Sequence, residues 1–179
     1  MHQYLAFLTL LAVSVNSLPA APHIKIGELP LVRAYAPDDS PVALRMYLPA
    51  GETLEHWHRL ASVRVLQDLQ DPAEYLSNMA AVVAQSHPAA RFKFLRNDRT
   101  KELVLDFTTF APDSVSARVA EWNLMRARYV PGTGLLVYQY AMRLYPYGAS
   151  SGAVINAERN RMIGPFESAS FEESPEPNR

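Results

Sequence analysis

Alternation of apolar and polar residues predicts most of the strands in this chain. In the segment Val42–Leu48, apolar residues at the even positions alternate with Ala, Arg and Tyr, as in a strand with one buried face. The run LVRAYA precedes it, and the intervening PDDSP is typical of a turn, so the two runs predict a hairpin. The later run ASVRVLQ alternates as well and predicts a third strand.

Four more strands are predicted in the second half of the chain, as two hairpins. The runs RFKFLR and ELVLDFTTF flank NDRT, which supplies an Asn-Asp turn. The runs SARVAEWNLMRARYV and LLVYQYAMRLY flank PGTG, where Gly132 after Pro131 suits a type II turn. Hairpins of this kind indicate an antiparallel sheet.

Helical spacing predicts two longer helices, one on each side of these four strands in sequence. The first begins with Asp71 as N-cap and Pro72 at the first helical position, and Pro88 closes it. The last runs from about Ser151 to Met162 and offers Val154, Ile155 and Met162 to a core. Together these elements predict an α+β fold, an antiparallel sheet of about six or seven strands flanked by helices on both faces.

The segment LEHWHRL, residues 54–60, contains several side chains that can bind a metal ion or act as an acid or base. Its apolar residues at Leu54, Trp57 and Leu60 predict a short helix that Trp57 anchors. In a helix His56 and His58 point about 200° apart and so do not share one metal ion, whereas in a strand they would lie on one face. We predict no metal site, and the alternative keeps both histidines with Glu55 as ligands.

The N-terminal residues predict export and a single domain. An apolar run from Leu5 to Val15 precedes a Ser/Pro/Ala stretch, the order of a secretory signal peptide. We expect a signal peptide at 1–21, one α+β domain at 22–166 and a disordered acidic tail at 167–179. The chain has no cysteine, which excludes a disulfide and a lipid-anchoring thiol. The expected location is therefore the periplasm or the medium.

Charge and composition argue against several partners and cofactors. A net charge of −1 gives no overall field that would attract nucleic acid or anionic lipid. No run after residue 21 reaches the roughly 20 apolar residues of a membrane span. No glycine-rich phosphate loop or calcium loop is present, so no cofactor is predicted.

Two further sets of residues are candidates for chemistry or binding. GASSG, residues 148–152, matches G-x-S-x-G, but every histidine precedes it in the chain, and a serine N-cap for the last helix explains it better. Arg126 and Arg128 share one strand face, and Tyr138 and Tyr140 share a face of the next strand. We retain these four residues, with His56 and His58, as candidate binding residues.

The order of elements resembles one known family. The segment LPAGETLEHWHRLASVRV is similar to the N-terminal half of Mog1/PsbP-like domains, including exported DcrB-type bacterial proteins. The resemblance continues through the middle helix, the hairpin FLRNDRTKELVLDF and the final helix with ERNRM. It implies an α/β/α sandwich and binding functions rather than catalysis, but it carries over no functional residue.

The sequence thus favours a non-enzymatic function. The main hypothesis is an exported binding or accessory protein of the bacterial envelope that engages a protein partner through a sheet edge or a helix–sheet groove. The alternative is a small periplasmic metal-binding protein or hydrolase that uses His56, His58 and Glu55. The partner and the oligomeric state are not specified by the sequence.

Overall fold

The fold is built on one antiparallel sheet. The computed structural model describes residues 22–36, 44–110 and 119–172. Within these residues there are eight strands, in chain order β1 His23–Ile26, β2 Leu29–Tyr35, β3 Leu44–Leu48, β4 Arg59–Leu66, β5 Arg91–Arg96, β6 Leu103–Phe110, β7 Ala120–Val130 and β8 Gly134–Leu144. They pair in the order β1-β2-β3-β4-β8-β7-β6-β5.

The predicted hairpins are confirmed. β2 pairs with β3, β5 with β6 and β7 with β8, all antiparallel. At the β7–β8 turn, Gly132 has φ +80°, and the Thr133 amide donates to the Val130 carbonyl at 3.0 Å, as a type II turn requires. The predicted turn PDDSP lies outside the described residues. The structure contains one further strand, β1, which the alternation of apolar and polar residues did not predict.

The first long helix, α1 (Pro72–Ser86), begins where it was predicted. The Asp71 carboxylate accepts hydrogen bonds from the amides of Ala73 at 2.8 Å and Glu74 at 3.0 Å, which satisfies two of the free donors at the helix start. The buried face of α1 packs on β6 and β7 and consists of Leu76, Ala80 and Val83. His87 caps the other end.

The last helix, α2 (Ser151–Ser168), is longer than predicted. Ile155 and Met162 are buried as expected, whereas Val154 remains 45% exposed. The additional turn buries Phe166, which packs with the strands around Trp122 and Tyr140. The predicted tail from residue 167 overlaps this end of α2, and Phe171 is also buried.

Alternation along β7 separates two parts of the core. Trp122 and Leu124 belong to the cluster that contains α2, while Met125 and Ala127 belong to the cluster that contains α1. A third, smaller cluster joins Trp57 to residues of β3, β4 and β8, namely Leu48, Leu60 and Ala141.

The predicted fold class, an α/β/α sandwich, is wrong. The described residues form one eight-stranded sheet and two helices, instead of six or seven strands between helical layers on both faces. A helix about 10 Å across covers roughly two strands spaced about 4.8 Å apart, so two helices cannot form layers over eight strands. As a result, the side chains of β5 are mostly exposed.

Some predictions concern residues beyond the described ranges. The expected signal peptide at 1–21 and the end of the expected tail at 173–179 lie outside them. Within the described part of the chain, neither helix has the length and apolar character of a membrane span.

Candidate functional site

A groove opens between the end of α1 and the sheet, and we call it the α1–sheet groove. Its volume is about 460 Å³, within the usual range of ligand pockets, which is about 300–1,000 Å³. α1, β6, β7 and β8 and the segment after β8 all contribute to its lining, which consists of Val83, His87, Phe107, Thr109, Val119, Glu121, Arg143 and Tyr145.

The polar wall of the groove is a row of side chains across three strands. Thr109 on β6 pairs with Glu121 on β7, which in turn pairs with Arg143 on β8. Arg143 Nε donates to Glu121 Oε2 at 2.7 Å. Burial disfavours the Arg143 charge, but the hydrogen bonds to Glu121 and Tyr145 outweigh this effect and raise its pKa.

The Trp57 ring also restrains the Arg143 guanidinium. Its central carbon lies 4.0 Å from the centroid of the buried Trp57 ring, a cation–π arrangement. The Arg143 backbone amide donates to the His58 carbonyl at 2.9 Å. The loop that carries Trp57 is therefore attached directly to the strand that carries the groove arginine.

A polar chain behind the groove supports Glu121. Asn123 Nδ2 donates to Glu121 Oε1 at 3.1 Å, and Gln139 Nε2 donates to Asn123 Oδ1 at 2.7 Å. Ser62 Oγ then approaches Gln139 Oε1 at 3.5 Å. Asn123 is 1% exposed, and both the nitrogen and the oxygen of its buried side-chain amide have hydrogen-bond partners. Supporting side chains of this kind restrict the orientation of the carboxylate.

The remaining lining is partly apolar. Val83 from α1 and Phe107 from β6 are both buried, and Val119 lies two residues before Glu121. The groove thus offers an apolar surface beside an ion pair.

The segment LEHWHRL is not the predicted helix. Residues 54–58 are irregular, and β4 begins at Arg59. Trp57 is buried with Leu60 as expected, but Leu54 is exposed. The Glu52 carboxylate accepts from the His58 amide at 2.7 Å and holds the loop in this shape.

The prediction that His56 and His58 point apart is also wrong. Their ring centroids lie 5.4 Å apart in an edge-to-face arrangement. Both rings contact Tyr145, at centroid distances of 4.9 Å for His56 and 5.6 Å for His58. Because Tyr145 lines the α1–sheet groove, the two histidines lie directly beside it.

Among the described residues, His56 and His58 are not joined by a third side chain placed to bind a metal ion. Glu55 is exposed, and the nearest carboxylate to His58 Nδ1 is that of Glu52 at 3.5 Å. The described ranges contain no group of three or more His, Cys, Asp or Glu side chains arranged to hold a metal ion.

The other candidate binding residues lie in or near the α2 core. Tyr138, Tyr140 and Arg126 are buried, and the Arg126 guanidinium lies 4.4 Å from the centroid of the Tyr138 ring. Arg126 Nη1 donates to Glu102 at 3.2 Å. Arg128 is exposed and donates to the Tyr138 hydroxyl at 3.3 Å. Arg126, Tyr138 and Tyr140 therefore pack in the core, whereas Arg128 lies at the surface and lines a pocket near the start of α1.

The serine of the G-x-S-x-G match lies at a helix start. Ser150 is the N-cap of α2, and Ser151 Oγ accepts from the Gly148 amide at 2.7 Å. The motif therefore forms the turn that begins α2.

A second feature of the surface is the strand at the end of the sheet. We call residues Arg91–Arg96 the β5 edge, because β5 pairs with β6 and is terminal in the sheet order. Phe92 and Phe94 are 46% and 43% exposed, which is high for phenylalanine. β5 carries three cations and no acidic residue.

The groove residues Glu121, Arg143 and Tyr145 were not found from the sequence. A signal did exist: pairing outward from the turn at Gly132 brings Glu121 opposite Arg143. Two opposite charges at the far ends of a hairpin indicate a cross-strand ion pair. Tyr145 had no comparable signal, because its neighbours come from a loop far away in the chain.

Comparison with known proteins places the chain in a family. Residues 32–170 match a family model, which gives no functional description. The chain belongs to this family. The match does not support the more specific names Mog1/PsbP-like or DcrB-type. No curated protein and no solved structure matches the chain.

Proposed function

We propose that this protein is a non-enzymatic binding or accessory protein, exported to the bacterial envelope, that binds an extended segment of a protein partner along the β5 edge. The observation that supports it is an edge strand with two exposed phenylalanines. An edge strand presents unpaired backbone donors and acceptors, and an added strand satisfies them. The resemblance of residues 48–65 to Mog1/PsbP-like domains is a further reason to propose binding.

The side chains of β5 define the partner's chemistry. Phe92 and Phe94 pair with Phe107 and Leu105 of β6 and share their face of the sheet. Arg91 and Lys93 point to the other face, because side chains alternate along a strand. A strand that continues this pattern has apolar residues on the phenylalanine side and acidic residues opposite the cations.

A second copy of this chain is a poor partner for the β5 edge. Two copies pairing through β5 would place Arg91, Lys93 and Arg96 near the same cations of the other copy. Like charges at cross-strand positions are unfavourable, and cations on edge strands commonly prevent self-pairing. The charge of β5 therefore favours an acidic partner over self-association.

The first test is binding of a fluorescent peptide in which Glu and Val alternate. Fluorescence anisotropy should show saturable binding that weakens as salt is raised, since the charged contacts are at the surface. The double variant Arg91→Glu with Lys93→Glu should weaken binding by about tenfold, equivalent to about 1.4 kcal/mol. Phe94→Ser should weaken it as well.

Matched controls separate edge binding from general attraction. Lys25→Glu changes an exposed cation on β1, at the other end of the sheet, and should leave affinity unchanged. A peptide with alternate backbone nitrogens methylated keeps its charge but loses the strand hydrogen bonds, and it should not bind. Equal binding of the methylated peptide would refute strand addition.

Export is tested separately. The full chain expressed in a bacterium should appear in the periplasm or the medium, with its N-terminus at a residue between Leu18 and Pro22, as N-terminal sequencing would show. Full-length protein retained in the cytoplasm would refute this part of the proposal and leave edge binding intact.

A further inference from the structure

The α1–sheet groove has the features of a small-molecule site that is separate from the β5 edge. It combines a volume of about 460 Å³ with several apolar lining residues and an ion pair. Ligand pockets are mostly apolar with a few fixed polar groups that orient the ligand. Here the fixed group is Arg143.

Arg143 is held ready for a ligand by several contacts. Glu121 and the Trp57 ring restrain its guanidinium, and the chain through Asn123 restrains Glu121. A guanidinium has five N–H donors in a planar fork, and the bond from Nε to Glu121 occupies one of them. Little side-chain entropy remains to be lost when a ligand oxygen binds.

We propose that the α1–sheet groove binds a small monocarboxylate with an apolar body. The carboxylate accepts hydrogen bonds from Arg143, and the apolar body packs against Val83, Phe107 and Val119. Hydrogen bonds between arginine and a carboxylate are strong because the donor and the acceptor are both charged.

Glu121 limits the charge of the ligand. Its carboxylate already pairs with Arg143 Nε, so one ligand carboxylate can share the remaining guanidinium donors, whereas a further negative group would be repelled by both carboxylates. Dicarboxylates and phosphates are therefore disfavoured, and a single carboxylate is accommodated. The apolar lining residues further select a ligand with a hydrocarbon or aromatic part.

The test compares phenylacetate with phenylacetamide, a neutral molecule of nearly the same shape. Titration of the ¹⁵N-labelled full chain should give saturable shifts at the amides of Glu121, Arg143 and Tyr145 with phenylacetate. Phenylacetamide should bind at least about tenfold more weakly. Phenylmalonate, which carries a second carboxylate, should also be weaker.

Variants then locate the site. Thr109→Phe places a ring in the groove from β6 and should abolish binding, while Thr109→Ser should retain it with the same melting temperature. Arg143→Gln should remove the preference for the acid over the amide. If either large change prevents folding, the acid–amide comparison on the unchanged protein still decides.

The inference is overturned by equal binding of acid and amide, by the absence of saturable shifts, or by shifts confined to β5. The β5 variants described above should bind phenylacetate normally. The two proposals can therefore fail independently.

Discussion

At the residue scale, one buried carboxylate connects α2 to the sheet. Glu158 accepts hydrogen bonds from the Tyr140 hydroxyl at 2.5 Å, from Arg59 Nε at 2.9 Å and from Arg161 Nη2 at 2.6 Å. Burial alone would raise the pKa of Glu158, but the bonds from Arg161, Arg59 and Tyr140 lower it to about 2. The ionised form is thus strongly preferred in the folded protein.

This preference makes stability depend on pH. Because the folded pKa of Glu158 is below its unfolded value, its contribution is complete above about pH 5 and is lost as the pH falls from about 4.5 toward 2. Glu158→Gln should lower the free energy of unfolding at pH 7 by about 2 kcal/mol, since the buried Tyr140 hydroxyl and two partly exposed arginines lose a charged acceptor. Urea unfolding at pH 7 and pH 3 measures both effects.

The exposed Glu172 provides the control for this experiment. Glu172→Gln should leave the unfolding curve nearly unchanged at both pH values. An acid-induced loss of stability that is the same in Glu158→Gln as in the natural sequence would show that other groups cause it.

Asp106 makes the complementary connection from the sheet to α2. Its carboxylate is 1% exposed and accepts from Trp122 Nε1 at 2.8 Å and from Arg159 Nε at 2.7 Å. The sheet and the helix thus each supply one buried carboxylate to the other. Their interface is specified by charge as well as by apolar packing.

At the element scale, the β7–β8 hairpin depends on two glycines for different reasons. Gly132 has φ +80°, but a Cβ there would meet no atom within 4 Å. Gly134 has φ +101°, and a Cβ would lie 2.5 Å from the Leu66 carbonyl oxygen and 2.7 Å from Gln67 Cα. Only the second position combines strained backbone with a clash against a neighbouring strand end.

Alanine at these two positions should therefore have unequal effects. Gly132→Ala should cost about 1 kcal/mol, for the positive φ alone. Gly134→Ala should cost about 3 kcal/mol or more, because the backbone atoms of β4 must also move. Thermal or urea unfolding compares them directly, and equal losses would contradict the packing of β8 on the end of β4.

Elements specified by local chemistry were predictable from the sequence. α1 has a carboxylate cap at Asp71 and a proline at its first position, and the structure reproduces both. The β7–β8 hairpin has Gly132 where only positive φ fits the turn. In these cases the residues that indicate the element and the backbone they shape lie within a few positions of each other in the sequence.

The segment around Trp57 was not predictable in the same way. Its spacing favoured a helix, but Trp57 packs on Arg143, and His56 and His58 pack on Tyr145, more than 80 positions later in the chain. These distant contacts outweigh a weak local helical preference. The groove remained unpredicted for the same reason.

At the scale of the whole molecule, the two ends of the sheet differ. At the β1 end, Ile24 and Ile26 are buried in the cluster beneath α2, and Gly27 lies against Pro165 of that helix. At the β5 end, Phe92 and Phe94 remain exposed beside cations. One end is thus packed against α2, while the other carries two exposed phenylalanines.

Hydrogen exchange measures this difference between the two ends of the sheet residue by residue. The protein is compared by amide exchange with and without the alternating Glu–Val peptide, residue by residue. In the free protein, the amides of Arg91–Arg96 that do not bond to β6, which alternate along the strand, should exchange rapidly. With the peptide these amides should exchange at least about tenfold more slowly, while β1 amides are unchanged. Peptide-dependent protection at β1 or in the α1–sheet groove, with none at β5, would contradict binding at the β5 edge.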